Sequence, residues 1–148
     1  MIKIQCNFGV AVPLVAKDIQ KIAQAIAKKE KKIKGEIELS FIGDKEMTTL
    51  NYHYRGKKYP TDVLSFAWQE ESGFKSSLLG QIYICYPQIK RQAKEWKVTV
   101  EAELARMLIH GLLHLVGHDH IKKTEAKKMF TLQEGAVKDL GYDSQKFV

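Results

Sequence analysis

The sequence predicts an α+β fold: one domain over residues 1–148, with a mixed sheet of about four strands packed by about five helices. Three observations carry this expectation. Short stretches in which apolar and polar residues strictly alternate mark half-buried strands. Longer stretches with apolar residues three and four apart mark helices with one buried face. The order along the chain is strand, helix, strand, helix, two strands and three helices, and no repeat, linker or low-complexity tract interrupts it.

The first strand is carried by Ile2, Ile4, Cys6 and Phe8, alternating with Lys3, Gln5 and Asn7. Pro13 then opens a helix with Val15, Ile19, Ile22 and Ile26 on its apolar face. It ends in Lys28, Lys29, Lys31 and Lys32, which suit a helix C-terminus and form a candidate basic patch, and Gly35 breaks it. Ile37, Leu39 and Phe41 alternate as a second strand, and Asp44 caps a short helix through about Asn51. Tyr54 to Asp62 reads as a basic loop containing proline. Val63 to Phe66 and Ile82 to Cys85 read as a hairpin, joined by a polar connection over Gln69 to Ser77. Pro87 starts a helix with Ile89, Ala93 and Trp96 on one face. Thr99 caps the next, which carries Glu101 and Glu103 near its positive end and runs to Val116, with Gly117 as a left-handed terminator. A last helix presents Met129, Leu132, Ala136 and Leu140 before Gly141.

Hydrophobic residues make up 45% of the chain and charged residues 28%, the ordinary balance of a soluble globular protein. No apolar run approaches the ~18 residues of a membrane span. Phe8 to Ala16 is the nearest thing to a signal core, but Gln5 and Asn7 stand where a signal stays apolar. Lys and Arg number 24 against 17 Asp and Glu, a formal charge of +7. That excess favours an anionic partner, nucleic acid before an anionic membrane; a lysine-rich solvated surface is the plainer explanation. Cys6 and Cys85 make no disulfide framework and read as reduced core residues of a cytosolic protein.

The chemistry is concentrated between His110 and His120, which hold four of the five histidines. His110 and His114 are four residues apart on a helix, so their rings project from one face a turn apart. Gly117 lets the chain turn back, and His120 then supplies a third imidazole. Histidines satisfied by hydrogen bonds on an amphipathic face are the plainer reading for one residue, but not for three at this His-x3-His-x5-His spacing. Three protein ligands leave a fourth zinc position for water, the arrangement of a catalytic site. The spacing equals that of metzincin peptidases, so the site is zincin-like. Those peptidases carry a glutamate base directly after the first histidine, where this chain has Gly111. That argues against a metallopeptidase. His118 reads as a polar neighbour or substrate contact. Asp119 either accepts the second ring proton of a ligand histidine or caps the turn after Gly117.

Ile109 to His120 resembles the H-G-x-L-H-L-x-G-[YH]-D-H signature of the YbeY family of ribosomal RNA maturation factors. Leu50 to Gly56 with Pro60 to Phe66, then Leu79 to Ile84, then Gln92-Ala93 with Glu95, are similar to further family blocks in the same order, so the resemblance covers about Leu39 to Gly141. It departs at Gln81 and Lys58, where the family usually or often has Asp, and at His118, where Tyr is commoner. The resemblance implies a single-strand-specific metallo-endoribonuclease with one Zn²⁺, another divalent metal being an alternative. It also implies a cytoplasmic location, work on the 3′ end of 16S RNA in the small ribosomal subunit, and ribosome quality control.

On this reading Arg55, the only arginine in the first 90 residues, lies in a loop and clamps the phosphoryl group. The plainer reading is a surface ion pair. Lys57, Lys58, Lys90, Arg91 and Lys94 line a path for single-stranded RNA, with Tyr54, Tyr59 or Trp68 stacking bases. Aromatic residues at such positions are more often core. A competing reading keeps the fold but makes the chain a non-catalytic RNA-binding assembly factor with a structural metal.

Overall fold

The computed structural model describes residues 1–68 and 77–143. The expected polar connection from Gln69 to Ser77 therefore lies, apart from Ser77, outside the described residues. The elements run β1 (Ile2–Phe8), α1 (Ala16–Lys29), β2 (Gly35–Ile42), α2 (Asp44–Arg55), β3 (Val63–Ala67), β4 (Leu78–Cys85), α3 (Tyr86–Trp96), α4 (Val100–Leu115) and α5 (Lys123–Asp139). The sheet order is β1-β2-β4-β3. β1, β2 and β4 are parallel, and β3 pairs antiparallel with β4, so the mixed sheet and the expected hairpin pairing are both present.

Parallel strands are covered by helices, and the alternation in β2 and β4 explains which face is covered. Ile37, Leu39 and Phe41 stand in register with Gly80, Ile82 and Ile84. They are buried with Ile19, Ile22 and Ile26 of α1 and Leu104, Leu108 and Leu112 of α4. Each such side chain contributes roughly 1.5–3 kcal/mol by leaving water. A smaller cluster of Ile42, Met47, Leu64 and Cys85 lies on the opposite face, under α2. Cys6 and Cys85 are both free thiols. Burial pushes the Cys85 thiol up to about 11.

α4 is the helix on which the rest is built. Eleven of its sixteen residues are buried, so it reads as apolar nearly all round. The Thr99 hydroxyl caps it by accepting from the Ala102 N–H at 3.1 Å, as expected. Its polar interior members form one network: Arg106 donates to Glu103 on α4, at 3.0 Å, and to Glu134 on α5, at 3.0 Å. Glu103 therefore does more than complement the helix dipole. Among the described residues no helix is long and apolar enough to cross a membrane.

Several local expectations are corrected. α1 begins at Ala16 rather than at Pro13, because the Asp18 carboxylate reaches back to accept the Val15 N–H at 3.0 Å. Val15 is consequently extended and 63% exposed, not part of the apolar face. α1 stops after Lys29, and Gly35 opens β2 instead of ending the helix. The alternation of β1 fails at Phe8, which is exposed at the strand end and stacks on Phe41 at 5.4 Å. Gly43, not Asp44, caps α2, and the Asp44 carboxylate is bound by Arg91. α2 also continues past Asn51 to Arg55, where Gly56 at φ 70° ends it. Trp96 is 60% exposed because α3 terminates there, with Lys97 left-handed at φ 56°.

α4 approaches the sheet closely at Gly80 of β4. A methyl group there would collide with the Phe66 carbonyl and lie 2.7 Å from the Leu115 side chain. Gly80→Ala is expected to destabilise the fold by about 1–3 kcal/mol through overpacking, read as a lower urea midpoint at unchanged slope. An unchanged midpoint would contradict this packing.

Candidate metal centre

The i, i+4 spacing on a buried helix turns the His110 and His114 rings towards the same opening. Their Nε2 atoms lie 3.0 Å apart. The helix then ends at Val116, and Gly117 adopts φ 98°, a left-handed conformation that favours glycine. The His118 N–H donates back to the Leu113 carbonyl at 3.0 Å and the Gly117 N–H to the His114 carbonyl at 3.1 Å. This hydrogen-bonded reversal carries His120 back over the helix end. One ligand atom from each of His110, His114 and His120 falls within 4.8 Å of the others. Two nitrogens about 2 Å from a tetrahedral ion stand roughly 3.3 Å apart, so the His110–His114 separation suits a shared cation. These three side chains can hold a metal ion.

Burial, chiefly, pushes the His110 and His114 rings below the ordinary histidine range. For His114 the neighbouring His110 and His120 push the same way, whereas for His110 a hydrogen bond with Gln133 and the nearby Asp62 partly oppose the shift. Metal ligation requires neutral imidazoles, so the shift prepares the site at neutral pH.

The return loop is pinned at two points. The Asp119 Oδ1 accepts the N–H of His120 at 2.6 Å and of Ile121 at 3.3 Å, so of its two expected roles Asp119 takes the capping of the turn. His118 Nε2 meets the Glu30 carboxylate at 2.6 Å, just past the end of α1. Hydrogen bonding with His118 holds the Glu30 carboxyl below the usual range. His118 is thus a polar neighbour that anchors the loop.

The three histidines line a cavity of about 560 Å³ with Arg55, Thr61, Asp62, Val63, Leu64 and Ser65. Arg55 reaches it from the last position of α2 rather than from the expected loop, because the helix runs on until Gly56 ends it. Among the described residues Arg55 has no acidic partner, contrary to the plainer ion-pair reading. The expected path of cations is divided. Lys57 and Lys58 follow Arg55 and are exposed, Lys58 lying 5.6 Å from the Tyr52 ring. Lys90, Arg91 and Lys94 sit on α3, near the opposite end of α2, which at 1.5 Å per residue is about 16 Å away. Arg91 departs from the expectation: both its Nη atoms are bound to Asp44, at 2.7 and 3.0 Å. Tyr54, Tyr59 and Trp68 are exposed, not core, at 58%, 57% and 51%. None of the three lines the cavity.

Residue 111 explains the missing glutamate base. α4 lies against the sheet there, and a Cβ on Gly111 would meet Ser65 Oγ at 3.1 Å, Val63 Cγ2 at 3.2 Å and Ile82 Cγ2 at 3.3 Å. The position faces β3 and β4, and Gly111 itself does not line the cavity. Gln81, the other departure, donates to Glu38 at 2.9 Å and does not line the cavity.

Sequence reasoning passed over two residues. Asp62 lies in the Pro60 to Phe66 stretch, and its position just before a strand is the available signal. Gln133 lies on α5, 23 residues beyond His110, yet its Oε1 stands 2.8 Å from His110 Nδ1. Nothing local in the sequence links them.

With the geometry in view, comparison with known proteins decides the lineage. The family model described as Endoribonuclease YbeY matches residues 3–141. The chain belongs to the YbeY family. The match starts well before Leu39, so it takes in β1 and α1 as well as the motif blocks. A relative from Malacoplasma penetrans named Endoribonuclease YbeY is 44% identical over 117 residues, 78% of each chain. One of the same name from Halalkalibacterium halodurans is 41% identical over 128 residues, covering 78% of this chain and 80% of its own. The solution structure of a Thermotoga maritima protein superposes with a TM-score of 0.62 at 29% identity, covering 95% of this chain and 89% of that one.

The depressed histidines predict a pH dependence. The metal-free fold holds its full stability above 6.5, the ordinary histidine value, and loses it as pH falls towards the lower folded values, since the unfolded chain then binds more protons. Urea titrations between about pH 7 and 5 should show this slope, and a His110→Asn, His114→Asn double variant should lose it. The same slope in the double variant would contradict the assignment.

Proposed function

We propose that this chain is a metal-dependent endoribonuclease that cuts single-stranded RNA at the His110, His114 and His120 centre, acting as one domain over its whole length. Membership in the YbeY family supports the reaction class, hydrolysis of RNA. The observation that carries the reading is the sharing of one cavity by three convergent imidazoles and an arginine with no acidic partner among the described residues. Imidazole donors suit zinc, and Zn²⁺ is the ion of this reading. Bound there, it would supply Lewis acidity and a water of lowered pKa.

The chain's own groups account for the rest. The Arg55 guanidinium can take two phosphate oxygens at once and hold the phosphoryl group at the mouth of the cavity. Asp62 gives the cavity a carboxylate, its Oδ1 held by the Val63 N–H at 2.7 Å. His120 is exposed where the other two ligands are half-buried, so one side of the centre stays open to substrate. A structural metal would be closed off by protein on every side. This openness favours catalysis over the reading as a passive assembly factor. The glycine at residue 111, with no carboxylate in the peptidase position, disfavours proteolysis. We further infer that the substrate is the 3′ end of small-subunit ribosomal RNA in the cytoplasm, with a part in ribosome quality control. The net charge of +7 is in keeping with such a partner.

Two outcomes test this. Arg55→Ala should lower cleavage of a single-stranded RNA by ~10²-fold or more while the protein keeps its metal. His114→Ala should abolish cleavage altogether. Wild-type rates in both variants would point to a contaminating nuclease and end the proposal. RNA binding should also weaken steeply with salt, and a flat dependence would remove the cationic contribution.

A further inference from the structure

The centre is tied to a buried polar network that no step above uses. Gln133 on α5 is 6% exposed, and its Oε1 stands 2.8 Å from His110 Nδ1. Its Nε2 donates to Glu134 Oε2 at 2.9 Å. Glu134 is 5% exposed and receives hydrogen bonds from Arg106 Nε at 3.0 and 3.2 Å and from Nη2 at 3.1 Å. Arg106, 2% exposed, is fixed in turn by Glu103 at 3.0 Å and the Asp143 carbonyl at 3.0 Å.

Directionality follows from donor and acceptor capacity. A carboxylate receiving a guanidinium can only accept from Gln133, so the amide must turn its NH₂ to Glu134 and its oxygen to His110. An oxygen facing Nδ1 requires a proton there. That leaves Nε2 as a bare lone pair, and Nε2 is the atom facing His114.

We propose that Gln133 is a positioning residue, oriented by the Arg106–Glu134 pair, that fixes His110 in the tautomer whose Nε2 is free for the metal. Free histidine prefers the other tautomer, so the network selects a form that the ring would not otherwise favour. The selection is made before any ion arrives. It also fixes the ring's orientation, since a ring held at Nδ1 cannot rotate about its χ angles without breaking that bond. Partners of this kind typically change metal affinity 10–100-fold.

The inference rests on the metal-binding reading, but one arm of its test does not. In metal-free wild-type protein at about pH 8, where histidine is ordinarily neutral, ¹⁵N spectra of the His110 ring should show a protonated Nδ1 and an unprotonated Nε2. Gln133→Leu, similar in size and without an acceptor, should shift the ring towards Nε2–H and weaken Co²⁺ binding, followed by its absorption bands, by about 10–100-fold. A role confined to packing would lower the unfolding midpoint and leave tautomer and Co²⁺ affinity alone. Gln133→Glu, which retains an oxygen acceptor, should keep the Nδ1 proton. A wild-type ring protonated at Nε2 overturns the proposal whether or not the variants fold. So does unchanged Co²⁺ affinity in a folded Gln133→Leu protein. Wild-type protein that takes up no Co²⁺ would overturn the metal reading instead, and the ring spectra would still decide the role of Gln133.

Discussion

The structure depends on one constraint: a helix buried nearly all round must end at the point where its histidines open to solvent. α4 meets it through sequence spacing alone. Two imidazoles four residues apart share a face, and the left-handed Gly117 reverses the chain within three residues to bring His120 over them. Because eleven residues of α4 are buried, the backbone beneath the first two rings cannot shift without disturbing the core. The backbone that carries these two rings is therefore held by hydrophobic packing, and polar contacts hold the rest of the centre.

The same packing decides which chemistry the centre can support. α4 lies so close to β3 and β4 that Gly111 has Ser65, Val63 and Ile82 within about a van der Waals contact of where a Cβ would be. A glutamate there would face strands, so the zincin-like spacing coexists with the loss of the peptidase base. What the cavity offers in its place is Arg55 and Asp62, brought in by α2 and the start of β3. A guanidinium in the same cavity as three imidazoles suits a phosphodiester better than a peptide. The buried Arg106–Glu134–Gln133 chain ties that centre to α5, so the last helix contributes to the site as well as to the core.

Much of this was legible in the sequence, for reasons particular to each element. Ile37, Leu39 and Phe41 alternate because one face of β2 meets helices, and Ile19, Ile22 and Ile26 recur because one stripe of α1 meets the sheet. The three histidines were legible because helix periodicity and a glycine reversal are local rules. Failures occur where a tertiary contact wins. Arg91 resembles a free cation until Asp44, 47 residues away, is seen to bind it. Trp96 and Val15 satisfy the apolar spacing but sit at helix ends that overhang the core. Arg55 reads as a loop residue because the apolar pattern stops about one turn before Gly56 ends the helix. Gln133 is invisible in sequence because its partner is on another helix. Asp119 is ambiguous in sequence because a carboxylate suits both a ring acceptor and a turn cap, and the backbone geometry shows the cap.

The central claim is the convergence of His110, His114 and His120 on one cation. X-ray absorption spectroscopy of the purified protein loaded with one equivalent of zinc tests it most directly. The account predicts three imidazole nitrogens at about 2.0–2.1 Å with an additional oxygen, and a loss of one imidazole in each single histidine variant. A first shell containing sulfur at about 2.3 Å, or a spectrum unchanged by His120→Ala, would contradict it.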